Sequence, residues 1–250
     1  MSGSRQTLIP STTMPWAALA PLAALGLACG SAAPAVLAPD AAAAPAPSTS
    51  APARSNLAAS AELGGLDELA AEQSFRDSMD GLRACIRDGA ERLEFIGGSI
   101  EFAVKVDATH HAAQVWAAES TLGERGTEKC MFNALRSVSW PAPQGGPYGI
   151  ARNSFDFEPR KGVIVPAVWD AGRISRVLAG LDGQLSRCPD RGAEQLVITL
   201  YIGQGGKPLG GGAASAQPVE DSAVDCVVEA LLAADYPAPE RAPTKVRFQL

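Results

Sequence analysis

The sequence predicts an α+β fold built as two tandem small α-β-β-α-β modules, each with a short antiparallel sheet and helices on one face. Three observations predict it. Residues 130–143 return without a gap as residues 226–239, both reading C-x3-A-L-x4-[WY]-P-A-P. A helical apolar period precedes each copy, and runs of period-two alternation lie between that period and each Cys-bearing stretch.

The first module spans residues 63–160. Phe75, Met79, Leu82 and Ile86 step by four, three and four, which places them on one face of a helix that also carries Cys85. Ile100, Phe102, Val104 and Val106 alternate with Glu101, Ala103, Lys105 and Asp107, the pattern of a half-buried strand, and residues 108–111 turn the chain into a second alternating run around Val115. Thr121-Leu122-Gly123-Glu124 has the T-x-x-E spacing of a capping box and predicts the start of a second helix. Pro141-Ala142-Pro143 cannot continue it. Phe155 and Phe157 mark a closing strand.

The second module, residues 167–250, follows the same order. Ile174, Leu178, Leu181, Leu185 and Cys188 share one helical face; Leu196, Ile198, Leu200 and Ile202 alternate ahead of a Gly-rich turn at residues 203–206. Pro218 suits the first turn of the second helix, and Val246, Phe248 and Leu250 form the last strand. Modules of this size have marginal cores. Their two cores are expected to share only the short connection around residues 160–166.

Residues 1–29 read as a lipoprotein-type signal peptide. Arg5 supplies the positive start, and the apolar run at residues 16–28 is shorter than the roughly 20 residues of a membrane-spanning helix. Leu25-Gly26-Leu27-Ala28-Cys29 is similar to a bacterial lipobox, in which the Cys receives diacylglycerol and becomes the mature N-terminus; ordinary cleavage nearby, for instance after Ala33, is the alternative. Residues 30–62 are dominated by Ala, Pro and Ser with no apolar period, the composition of a disordered, PPII-rich linker that would lift the modules from a membrane. The chain carries 21 basic and 27 acidic residues, net −6, with no Lys/Arg stripe. Nucleic acid and anionic lipid surfaces are therefore not expected partners.

Five cysteines fit this plan. Cys29 belongs to the lipobox, and each module carries one Cys on its first helix and one near the start of its second. Four cysteines allow three pairings; the repeat favours Cys85 with Cys130 and Cys188 with Cys226, with buried free thiols as the alternative. On the chain-entropy model each bridge would stabilise its module by about 4 kcal/mol. Serine at Cys188 is then expected to unfold the second module and leave the first protease-resistant.

Ser120-Thr121-Leu122-Gly123, Cys130, Trp140-Pro141-Ala142-Pro143-Gln144-Gly145-Gly146 and the strand ending Phe155-Asp156-Phe157 resemble the C-terminal domain of the myxobacterial AgmX/PglI proteins, itself similar to the TonB C-terminal domain. The second copy keeps both Cys and Tyr236-Pro237-Ala238-Pro239 without the Ser-Thr-Leu turn and the Gly-Gly pair. The resemblance implies a non-catalytic envelope interaction domain, in a family associated with gliding motility and trans-envelope machines.

No catalytic motif can be assembled. His110 and His111 stand side by side in a hairpin turn, where neighbouring side chains point to opposite faces and seldom bind one metal. Gly203-Gln204-Gly205-Gly206-Lys207-Pro208 lacks the spacing of a phosphate-binding loop and is not followed by a helix. Trp140 and Tyr236 read as core plugs before a rigid Pro-Ala-Pro, with recognition aromatics as the alternative. The expectation is an exported, membrane-anchored lipoprotein facing the periplasm or cell surface. It would be a non-enzymatic, tethered interaction or scaffolding module that takes no cofactor, metal or small-molecule substrate and whose partner is another envelope protein. The competing reading is a small-ligand or metal-binding envelope protein, an enzymatic one included, that uses the His110/His111 turn or a cleft between the modules.

Overall fold

A computed structural model describes residues 63–189 and 195–250; the signal peptide, the lipobox residue Cys29 and the Ala/Pro-rich linker lie outside the described residues. Helix α1 (Glu68–Arg92) begins at Asp67, whose side chain accepts the Ala70 N–H at 2.9 Å, and it has Glu68 in its first turn and Arg92 in its last, as the helix dipole favours. Strands β1 (Gly98–Asp107) and β2 (Ala112–Ser120), helix α2 (Arg125–Arg136) and strand β3 (Tyr148–Phe157) complete the first half. The second half runs β4 (Ala167–Trp169), a single 3₁₀ turn (Ala171–Ile174), α3 (Ser175–Leu185), β5 (Val197–Ile202), β6 (Pro208–Ala214), α4 (Asp221–Leu232) and β7 (Thr244–Gln249). The fold is α+β, with sheet orders β2-β1-β3 and β4-β7-β5-β6, antiparallel except where β4 runs parallel to β7.

Each sheet carries its own core. Alternate β1 residues Ile100, Phe102, Val104 and Val106 are fully buried against Phe75 and Leu82 of α1 and Met131 and Leu135 of α2. Ile198, Leu200 and Ile202 of β5 meet Leu181 and Leu185 of α3 and Val227 and Leu231 of α4 in the same way. A disulfide links the helical layer of each half: Cys85 of α1 to Cys130 of α2, Cα atoms 5.7 Å apart, and Cys188 to Cys226 of α4, 5.6 Å apart, Cys188 lying in the turn just after α3 and not on the helix as expected. Trp140 is 2 % exposed and Tyr236 is 6 % exposed. Their polar ends bond at matching places, the indole N–H to the Leu135 carbonyl (3.0 Å) and the phenol O–H to the Leu231 carbonyl (2.8 Å).

Several local expectations shift. The box at Thr121 is not used: its hydroxyl accepts the Ser99 N–H at 2.9 Å, while Glu124 caps α2 through its own side chain, accepting the Thr127 N–H at 2.7 Å. Tertiary demand on the threonine outweighs the local motif. Helix α4 starts at Asp221, after Pro218, with Glu220 as a cap that makes no side-chain bond. Strand β6 is the second arm of the hairpin expected at the Gly-rich turn, whereas β4 stands outside the expected α-β-β-α-β order. β4 is three residues long, and β6 reads Pro-Leu-Gly-Gly-Gly-Ala-Ala, a composition that disfavours a strand on propensity alone.

The two cores share far more than a connecting segment. β2 and β6 are edge strands of their own sheets, and they meet: the Ser215 N–H donates to the Ala117 carbonyl (2.9 Å), the Thr199 hydroxyl to the Ser120 carbonyl (3.2 Å), and Ala214 joins the first core. Gly210 permits this approach, since a Cβ there would stand 3.1 Å from the Gly123 carbonyl oxygen. A largely buried Arg125 spans the seam to Asp225 (2.8 Å) and Asp221 (2.6 Å) of α4, joined by Lys129 to Asp225 at 2.7 Å. Burial opposes ionisation of Asp225, yet the hydrogen bonds from Lys129 and Arg125 hold it below the usual carboxylate range. Below α1, Phe95 packs on Tyr201 with ring centres 5.3 Å apart, and Lys245 donates to the Gly97 carbonyl at 3.3 Å. Across the seam the Ala117 carbonyl and the Ser215 and Ala213 N–H groups find partners, groups that a bare sheet edge would leave to water.

Candidate functional site

The open edge of the first sheet begins where the chain enters it. Leu63 bridges Tyr148 in parallel, and the Gly64 N–H donates to the Tyr148 carbonyl at 2.6 Å. Gly65 exchanges both backbone bonds with Gln144 (2.9 and 2.8 Å), after which Asp67 turns the chain into α1 and away from the strand. Because the Tyr148 carbonyl points away from β1, alternation puts the backbone groups of Ile150, Arg152, Ser154 and Asp156 on that same open side. Asn153 takes up the Ser154 N–H with its own side chain at 2.8 Å. Ile150 and Arg152 keep their N–H and C=O groups facing outward.

A groove of about 530 Å³ runs beside this row. The start of α1 forms one wall with Leu66, Ala71 and Phe75, and residues 150–153 form the other. Ala71, Phe75 and Ala151 give it a buried apolar floor, and Ile150 is exposed at its lip. Its charged rim is largely paired: Glu72 with Arg76 at 2.9 Å and Arg152 with Glu101 at 3.0 Å. Backbone donors and acceptors with no partner among the described residues, beside a trough with an apolar floor, suit an extended chain, which adds as a strand and places alternate side chains in the trough.

The same edge of the second sheet is occupied. β4 pairs with β7 from Ala167↔Thr244 to Trp169↔Val246, and the Ala167 N–H donates to the Pro243 carbonyl (3.2 Å) as Gly64 does to Tyr148. Gly64-Gly65-Leu66-Asp67 thus stands where Ala167-Val168-Trp169-Asp170 stands, and Asp170 caps the 3₁₀ turn as Asp67 caps α1. A pattern of a large apolar residue followed by Asp, just ahead of each first helix, is the signal in the sequence that would have located this entry strand.

The histidines serve the turn. His110 adopts φ 67, its Nδ1 lies 2.9 Å from the Trp140 carbonyl, and its own carbonyl accepts the Trp140 N–H at 3.1 Å. Gly206, φ 77, holds the Tyr236 N–H in the same fashion at 2.9 Å. Asp107 ties the turn by accepting from the Thr109 N–H and hydroxyl and the His111 N–H; the Thr109 bond leads in holding its carboxyl below the ordinary range. Among the described residues no group of three or more His, Cys, Asp or Glu side chains is placed to hold a metal. Residues 203–207 close a hairpin, the Gly203 N–H reaching the Lys207 carbonyl at 2.8 Å. No helix among the described residues is long and apolar enough to cross a membrane.

Fold and site define, among the described residues, a disulfide-linked α+β protein with a groove of apolar floor and charged rim along the outer side of β3. No family model, no curated protein and no solved structure matches the chain.

Proposed function

We propose that this chain is a non-catalytic envelope lipoprotein, tethered through Cys29 and the Ala/Pro-rich segment, that binds an extended segment of another envelope protein by strand addition at β3. The observation that carries the reading is the outward-facing backbone of Ile150 and Arg152 beside the groove floored by Ala71 and Phe75. Two disulfides support an oxidising compartment outside the cytoplasm. The matched placements of Trp140 and Tyr236, of His110 and Gly206, and of Asp67 and Asp170 support descent of the two halves from one unit, and its assignment to the AgmX/PglI type rests on the motif resemblance alone. A role in a trans-envelope or motility assembly rests on that resemblance.

The edge is tested with Ile150→Pro. Its N–H faces the open side, so proline removes a donor to the partner without breaking the β1 ladder, and the fold is expected to survive. A photo-crosslinker at Arg152 in intact cells is expected to give a discrete adduct with an envelope protein. Ile150→Pro should abolish it, and a crosslinker at exposed Ser137 should not give it. Equal adducts from both positions, or an adduct indifferent to the proline, would refute strand addition. The tether is tested separately: Cys29→Ser is expected to move the protein from the detergent phase to the aqueous phase, and identical partitioning of the two forms would refute lipidation.

A further inference from the structure

Glu128 is the one fully buried carboxylate among the described residues, and it sits in the seam between the halves. Its Oε1 accepts the Ser120 hydroxyl of β2 at 2.8 Å, and its Oε2 faces the Ala213 N–H of β6 at 3.4 Å. Gly212 lies flat against it, for any Cβ there would run into the carboxyl oxygens. The three elements that close the seam, α2, β2 and β6, therefore meet on this one side chain.

Its charged surroundings do little to compensate an anion. From its own helix come Arg125 and Glu124; Arg125 is drawn to Asp225 and Asp221 of α4 at 2.8 and 2.6 Å, and Glu124 is paired with Arg92 of α1 at 2.7 Å. Lys129, next along α2, is bound to Asp225. β6 has no ionisable side chain; β2 turns its Ser120 hydroxyl to the carboxyl while its Glu119 is exposed; and β5 carries Thr199, whose hydroxyl is already given to the Ser120 carbonyl, and the buried phenol Tyr201, neither of them a cation. Burial pushes the Glu128 carboxyl up to about 7, against the pull of Ser120, Arg125 and the Ala213 N–H.

We propose that Glu128 makes the seam between the two halves a pH-gated joint: the neutral carboxyl stays dry and holds β2 against β6, and the ionised one draws in water and parts them. Parting frees the edges of β2 and β6, which the closed seam covers, and so adds open strands to the molecule. The direction follows from linkage. In the closed seam the group titrates near 7, and in the open seam it returns to its ordinary 4.5, so the closed form is most favoured below 4.5 and loses ground as pH rises to 7. The ratio of open to closed should rise about tenfold per pH unit over that window and then level off, about 300-fold in all.

Amide hydrogen exchange at Ala213 and Ser215 in the full-length chain, corrected for intrinsic rates, reads this ratio. Between pH 5 and 8 the opening constant is expected to climb and then flatten near pH 7, while Glu128→Gln, neutral at every pH, should give a flat profile. The side-chain carboxyl ¹³C shift of Glu128 in the unmodified protein should move with a midpoint near 7. A midpoint near 4.5, or the same exchange profile with and without the substitution, would overturn the proposal, and the carbon titration decides it even if the glutamine variant does not fold.

Discussion

Replacing Cys188 and Cys226 together by serine is expected to lower stability by about 4 kcal/mol and to loosen both halves. The bridge closes a loop of 38 residues, and constraining the unfolded chain over that length accounts for the magnitude. The second half has little to offset the loss: α3 has no side-chain cap and β6 is largely glycine and alanine. Its unfolding would not be private. Ala214 would leave the first core, β2 would lose its cover from Ser215, and Phe95 its contact with Tyr201. Limited proteolysis should therefore cut both halves at rates that rise together, and fluorescence from Trp116 and Trp140 in the first half should change in the same denaturant range as that from Trp169 in the second. Were the first half to stay fully resistant, the seam would be contributing nothing to it.

Trp140→Ala should cost about 3–5 kcal/mol, the range for emptying a large aromatic site in a core. The indole meets Phe75 edge to face at 4.9 Å, its N–H satisfies the Leu135 carbonyl at the end of α2, and its backbone holds the His110 turn. Alanine keeps the last of these and loses the first two. Because Phe75 is also part of the floor of the groove beside β3, the same change should weaken the strand addition proposed there, whereas Tyr236→Phe removes one hydrogen bond in the other half and should cost only about 1 kcal/mol. Urea unfolding compares the two directly. A loss below about 1 kcal/mol for Trp140→Ala would show that the site refills by collapse.

The sequence by itself determined what depends on near neighbours and on repetition. Helical and strand periods located α1, α3, β1, β5 and both final strands, because burial of one face imposes the period wherever the partner lies. Doubling of the Cys-x3-Ala-Leu motif singled out the pairing Cys85–Cys130 and Cys188–Cys226, and the aromatic before each Pro-Ala-Pro was legible as core. Only the tertiary structure decided the rest. Thr121 lost its capping role to Ser99, 22 residues away; Arg125 found Asp225 100 residues on; Glu128 met Ala213 85 residues on. Such contacts leave no local period, since each depends on where two sheets come to lie. The open edge at Ile150 and Arg152 is of the same kind: alternation shows that β3 is a strand, but whether its far side is paired depends on the chain leaving it after Gly64, which is settled by how α1 packs.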